Sequence, residues 1–139
     1  VRFLIPSNNV TLDDTPALAE VDPADYDAIF LAGGHGAMFD FVDESVAQTV
    51  AAFADAGKVV AAVCYGPAGL LGAKLADGSQ LLAGRTVTGF SWTEEKAAGR
   101  ADAVPFNLQQ QLKDASGKYT KAMLPMGKEV VVDGFLIIG

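Results

Sequence analysis

KVVAAVCYGPAGLLG, Lys58 to Gly72, is the stretch whose reading decides the fold. After Lys58 the run is apolar on both faces, as a central parallel strand covered by two layers must be. It ends on Cys64, the chain's only cysteine, and Tyr65-Gly66-Pro67 then opens a predicted helix over 65–75. Proline is tolerated there only in the first turn. A side chain at a sharp strand-to-helix turn stands exposed above the sheet, near the positive end of the helix, which favours thiolate over thiol. Gly66 meets the need for a small residue at such a crowded elbow. The N–H of Tyr65 then points to where an oxyanion would form. A second reading is equally open on these residues alone: Cys64 is a small buried side chain that ends a strand.

Outward from this point, strand-like and helix-like segments alternate. VRFLIP (1–6), YDAIFLAGG (26–34) and RTVTGF (85–90) read as further strands. DESVAQTVAAFADAG (43–57) is helical, with Val46, Val50, Phe53 and Ala54 at helical spacing, Asp43 as N-cap and Gly57 as stop. TEEKAAG (93–99) reads as a short acidic helix or turn, and VPFNLQQQLKDASG (104–117) as an amphipathic helix carrying Phe106, Leu108 and Leu112. KEVVVDGFLIIG (128–139) is a hairpin, with Asp133-Gly134 between two β-rich runs. The alternation predicts one α/β domain over 1–139, with a mostly parallel sheet sandwiched by helices. The chain begins inside a predicted strand and stops directly after another, and SNNVTLDDTPALAEVDP (7–23) is a long connection with weak periodicity. Polypeptide is therefore expected to be missing at the ends, and between about Asn9 and Val10.

Seventeen acidic against ten basic residues leave a net charge of −7, which disfavours nucleic acid and anionic membrane as partners. A single cysteine forms no internal disulfide. No apolar run approaches the roughly 20 residues that span a bilayer, and no secretory leader pattern is present. The expected location is cytoplasmic. One histidine and one cysteine, far apart in sequence, do not make a structural zinc site. Neither a metal nor an organic cofactor is expected.

Two further motifs carry candidate chemistry. In LAGGHGAMFDF (31–41), Gly33 and Gly34 follow an apolar strand and let the backbone aim its N–H groups at a ligand. The loop has neither the GxGxxG spacing nor a Walker lysine, so it is not a nucleotide fingerprint. His35 is the only imidazole, either a base for Cys64 or a loop residue whose ring plays no part. In TGFSWTEEKAAG (88–99), Glu94 and Glu95 fit two roles: a carboxylate orienting a base, or an acidic first helical turn.

Taken together and in order, DYDAIFLAGGHGAMFDF, GKVVAAVCYGPAGLL, LLAGRTVTGFSWTEE, VPFNLQQQL and VVVDGFLIIG resemble the ThiJ/PfpI superfamily. They are most similar to its chaperone and glyoxalase III branch, and the resemblance runs from about Thr15 to Gly139. It implies a flavodoxin-like, class I glutamine-amidotransferase-like fold with Cys64 as the reactive thiol of a nucleophile elbow. It implies an oxyanion pocket from the N–H groups of Gly34 and Tyr65, with His35 beside it, and Glu95 as the orienting acid, five positions after Phe90. Tyr65 departs from the pattern, because the branch has histidine after the cysteine. A phenol, with a reference pKa of about 10, is a poor general base near neutral pH. The superfamily's amino-terminal glutamate, which lies against the cysteine, has no counterpart here, nor does the Gln-Asn-Pro stretch after the last strand.

The function this resemblance implies is a cysteine-dependent enzyme for small reactive carbonyls, converting methylglyoxal to lactate without glutathione, or removing early glycation adducts. The alternatives are a stress-response redox sensor or holdase chaperone with an oxidisable Cys64, and a cysteine amidase or peptidase. Homodimerisation is expected from the family.

Overall fold

A computed structural model of the chain describes residues 15–139. The predicted strand over 1–6 and the suspected gap near Asn9 lie outside them. Two short 3-10 turns, Leu18–Glu20 and Pro23–Asp25, lead into β1 (Ala28–Leu31). Then come α1 (Ala37–Asp40), α2 (Glu44–Asp55), β2 (Val59–Ala62), a 3-10 turn (Gly66–Leu70) and β3 (Thr86–Val87). The chain continues through α3 (Trp92–Ala97), α4 (Leu108–Ala115), β4 (Lys118–Tyr119), β5 (Val131–Asp133) and β6 (Leu136–Ile138). The main sheet has the order β1-β2-β6-β5, parallel except for the β5–β6 hairpin. This is an α/β fold with a mostly parallel sheet flanked by helices.

Helix α2 forms where the sequence places it. The Asp43 carboxylate accepts from the Ser45 N–H, and Ala47, Val50, Ala51, Phe53 and Ala54 make the buried stripe. That stripe packs on β1, β2 and the 3-10 turn. Val60, Ala62, Leu136 and Ile138 supply the sheet side of this core. On the opposite face the register aligns Phe30, Ala61, Ile137 and Val132 across all four strands. Phe30, Ile137 and Val132 are exposed there.

Several predicted elements come out shorter; the helix expected over 104–117 is Leu108–Ala115, capped by Asn107, so Phe106 lies before it. The strand expected to reach Cys64 stops at Ala62. The helix expected over 65–75 is a single 3-10 turn, Gly66–Leu70. Two glycines and a proline within five residues give it little intrinsic helicity, and complete burial decides its course instead. The strand expected over 85–90 is Thr86–Val87, paired in parallel only with Lys118–Tyr119. Beyond it the backbone turns toward the central strand, and the Phe90 N–H donates to the Cys64 carbonyl at 2.9 Å. Asp133, expected as a turn residue, ends β5 and joins the two sheets. Its carboxylate accepts from the Thr86 N–H at 2.8 Å and from Arg85 Nη1 at 3.2 Å. Among the described residues no helix is long and apolar enough to cross a membrane.

Gly66 is where the turn meets the end of β1. A Cβ there would lie 2.2 Å from the Leu31 carbonyl oxygen, a backbone atom that cannot swing away. Gly66→Ala is therefore expected to destabilise the fold by about 3 kcal/mol. Gly36→Ala, whose Cβ would find nothing nearer than an Asp40 carboxylate oxygen at 3.9 Å, is expected to stay within about 0.5 kcal/mol of the parent. Urea unfolding midpoints of the two variants check the contrast.

Candidate active site

Two residues past β2, Cys64 holds φ at +61°, a left-handed conformation that costs a non-glycine residue about 1–2 kcal/mol. Its neighbours fix it there. The Cys64 N–H donates to the Gly139 carbonyl at 2.8 Å, its own carbonyl accepts from Phe90, and Gly66 N–H reaches back to Val63 at 2.8 Å. The side chain is half-buried where the Gly33–Gly34 loop crosses it. A Cβ on Gly33 would sit 2.7 Å from the Cys64 Cβ, so that loop closes over the thiol only with glycine.

Burial pushes the Cys64 thiol above its ordinary value, and the Glu94 and Glu95 charges add to the rise. The backbone N–H groups of Tyr65 and Gly34 act in the other direction. These are the two donors expected to face an oxyanion. The expectation of a thiol tuned downward by a helix dipole is thus corrected. The turn after Cys64 is a 3-10 turn of five residues, with few aligned peptides.

Tyr65, His35 and Glu95 meet in one cluster. The buried Tyr65 hydroxyl donates to Glu95 Oε2 at 2.7 Å. His35 Nε2 lies 2.8 Å from the same hydroxyl and 3.1 Å from Glu95 Oε1. The phenol has one proton, and it is given to Glu95. The two contacts at Nε2 therefore fit a hydrogen on that nitrogen, the tautomer in which Nδ1 is the acceptor. Among the described residues no protein group bonds Nδ1. The imidazole is 45% exposed and the carboxylate 4%, so the acid is sequestered while the ring faces solvent. Tyr65 stacks between His35 and Phe90, each ring centroid 4.5 Å away. Burial first, and then the bond to Glu95, push the Tyr65 phenol well up, so it stays protonated and holds the other two in place.

The acidic pair of α3 divides its work. The Ser91 hydroxyl and the Glu94 carboxylate form the capping box, while Glu95 turns inward to the cluster. Beside Cys64 lies a cavity of about 420 Å³, walled by Thr88–Ser91 on one side and by segment 121–127 on the other. Among the described residues no group of three or more His, Cys, Asp or Glu is arranged to hold a metal ion.

The sequence matches the family described as DJ-1/PfpI over residues 7–137. The chain belongs to the DJ-1/PfpI family. Within the family it is similar to the "Probable glutathione-independent glyoxalase hsp3103" of Schizosaccharomyces pombe, 36% identical over 128 residues, covering 86% of this chain and 49% of the relative. It is also similar to "Glyoxalase 3" of Candida albicans, 32% identical over 139 residues, covering 94% of this chain and 58% of that one. The chain thus spans about half the length of the curated relatives it matches. Among solved structures, Rapid Encystment Protein 24 KDa of Francisella tularensis superposes with a TM-score of 0.83 at 36% identity, covering 88% of this chain and 55% of that one. The Candida albicans glyoxalase III structure gives 0.81 at 29% identity, covering 88% and 54%.

Of the expected site residues, Gly33, Gly34, His35, Cys64 and Tyr65 come from the loops that follow β1 and β2, and Glu95 from the first turn of α3. Sequence reasoning did not find Phe90 as the ring beneath Tyr65, nor the Gly139 carbonyl that takes the Cys64 N–H. Phe90 stood within a recognised motif, but a stacking partner has no local signature. The Gly139 contact is a main-chain one and carries no residue-type signal at all.

Because burial and two carboxylates raise the thiol, its thiolate fraction at neutral pH is expected to fall below that of an ordinary cysteine. The rate of Cys64 alkylation by iodoacetamide, followed against pH, should inflect above about 8.5. Glu95→Gln, which removes one of the two charges, should move the inflection downward. An inflection below 8.5 in the parent protein would contradict this account of the electrostatics.

Proposed function

We propose that the chain carries the catalytic centre of a glutathione-independent glyoxalase, with Cys64 as nucleophile and His35 as the proton-transfer base. The observation that carries this reading is the cluster beside the elbow. Glu95 and Tyr65 hold a solvent-facing imidazole by one nitrogen and leave its other nitrogen basic. The curated relatives named as glyoxalases support the substrate class.

In this reading Cys64 sulfur adds to the aldehyde carbon of methylglyoxal, and the thiol proton ends on the former carbonyl oxygen. The product of addition is a hemithioacetal. The N–H groups of Gly34 and Tyr65 stabilise negative charge on that oxygen. His35 then takes the proton from the sulfur-bearing carbon and returns it to the neighbouring ketone carbon, while the ketone oxygen gains a proton and the hydroxyl on the sulfur-bearing carbon gives one up, so the proton count is unchanged. The first carbon has become a thioester, with no net oxidation. Water cleaves it, lactate leaves and the thiol is restored. The branch places an imidazole directly after the cysteine. Here the phenol of Tyr65 fills that position, and the neighbouring loop supplies the imidazole against the same acid.

Lactate formed from methylglyoxal without glutathione, measured on the full-length protein, tests the assignment. Cys64→Ser is expected to lose roughly 10³-fold or more in kcat/KM, and His35→Ala about 10²-fold or more. Tyr65→Phe, which loses one hydrogen bond at each neighbour, should fall about tenfold. Turnover absent from both the parent and Tyr65→His would end the glyoxalase reading. Turnover present only in Tyr65→His would overturn the role given to His35.

A further inference from the structure

Glu94 takes no part in the cluster, yet both of its oxygens are engaged. Oε2 accepts from the Ser91 N–H at 2.8 Å inside the α3 capping box. Oε1 reaches across the Cys64 cavity and accepts from the Met126 N–H at 2.7 Å. Met126 belongs to segment 121–127, which forms the outer wall of that cavity. Its φ of +59° is left-handed, and besides Cys64 it is the one such non-glycine among the described residues. The side chains of Met123, Leu124 and Met126 are all exposed, so core packing does not hold the segment. Its other hydrogen bond joins Gly127 N–H to the Leu124 carbonyl, within the segment itself. Among the described residues the Glu94 carboxylate is thus the one hydrogen-bond anchor between this wall and the rest of the fold. A bond of this kind, ionised acceptor to backbone N–H, is roughly twice as strong as a neutral one. Burial opposes the charge on Glu94, but the Ser91 hydroxyl, the N–H groups of Ser91 and Met126, and Lys121 outweigh it and hold the carboxyl below its usual range.

We propose that Glu94 is a positioning residue that latches segment 121–127 as the outer wall of the Cys64 cavity, and so sets the size of the carbonyl compound that reaches the thiol. The substrate class rests on the function proposed above, whereas the latch does not. With the latch closed, small aldehydes enter and bulky ones are held back. With it open, the exposed methionine segment swings away and bulky electrophiles gain access.

The test compares the full-length protein with Glu94→Ala, Glu94→Gln and Ser91→Ala. Hydrogen exchange of peptides spanning 121–130 reads the latch, and the ratio of Cys64 alkylation rates with fluorescein maleimide and iodoacetamide reads access. In Glu94→Ala the exchange should rise about tenfold or more, the rate ratio severalfold, and KM for methylglyoxal more than kcat changes. Glu94→Gln keeps a side-chain oxygen that can accept from Met126 and should stay within about twofold of the parent in exchange and rate ratio. Ser91→Ala weakens the cap without touching the Met126 bond and should leave exchange over 121–130 unchanged. Exchange and rate ratio unmoved in Glu94→Ala would overturn the latch, as would a Ser91→Ala variant that behaves like Glu94→Ala. Exchange and alkylation need no turnover, so they decide the latch even if methylglyoxal proves not to be a substrate.

Discussion

The site depends on one constrained backbone position. Cys64 sits in a left-handed conformation that a lone cysteine would not choose, and three main-chain hydrogen bonds hold it there. They run to Gly139 after β6, to Phe90 after β3, and between Gly66 and Val63. The first two come from distant parts of the chain and the third from the elbow itself, so the half-buried thiol reaches its position only when both sheets and the turn are assembled. Gly33 and Gly66 serve the same end. They remove side-chain atoms where the first loop and the end of β1 press against the elbow. Strain of this kind persists where surrounding structure over-determines it, and it concentrates at functional sites.

The chemistry around that thiol is arranged differently from the order implied by the resemblance. Tyr65 occupies the position of the branch's imidazole but works as a strut: protonated, buried, stacked on Phe90 and bonded to Glu95. The acid thereby meets His35 instead, from a loop that precedes β2 by more than one element. An imidazole and a carboxylate are thus paired across 60 positions, with the carboxylate buried.

Much of this was legible in the residues. The apolar runs ending in glycine or cysteine gave β1 and β2 their places, and the 3.6-residue stripe with an Asp43 cap gave α2 its limits. The glycine loop, the elbow and the acidic pair were visible as candidates, because each needs particular residue types at a short spacing. The segment after Cys64 is shorter as a helix than its apolar pattern predicts. Gly66, Pro67 and Gly69 make it pliable, and burial against β1 and α2 bends it into one turn. RTVTGF pairs over only two residues because its partner is the two-residue strand Lys118–Tyr119, a limit that β propensity does not reveal.

The sequence by itself determined the α/β alternation, the single thiol at the end of a buried strand, and the absence of any second histidine to compete with His35. These are properties of residue type and spacing, which act locally. Only the tertiary structure decided which of two adjacent acids turns inward, which ring nitrogen is held, and that the thiol is raised instead of lowered. Those outcomes depend on distances between segments up to 60 positions apart and on how much water the fold excludes. Neither quantity is written in any one segment of the chain.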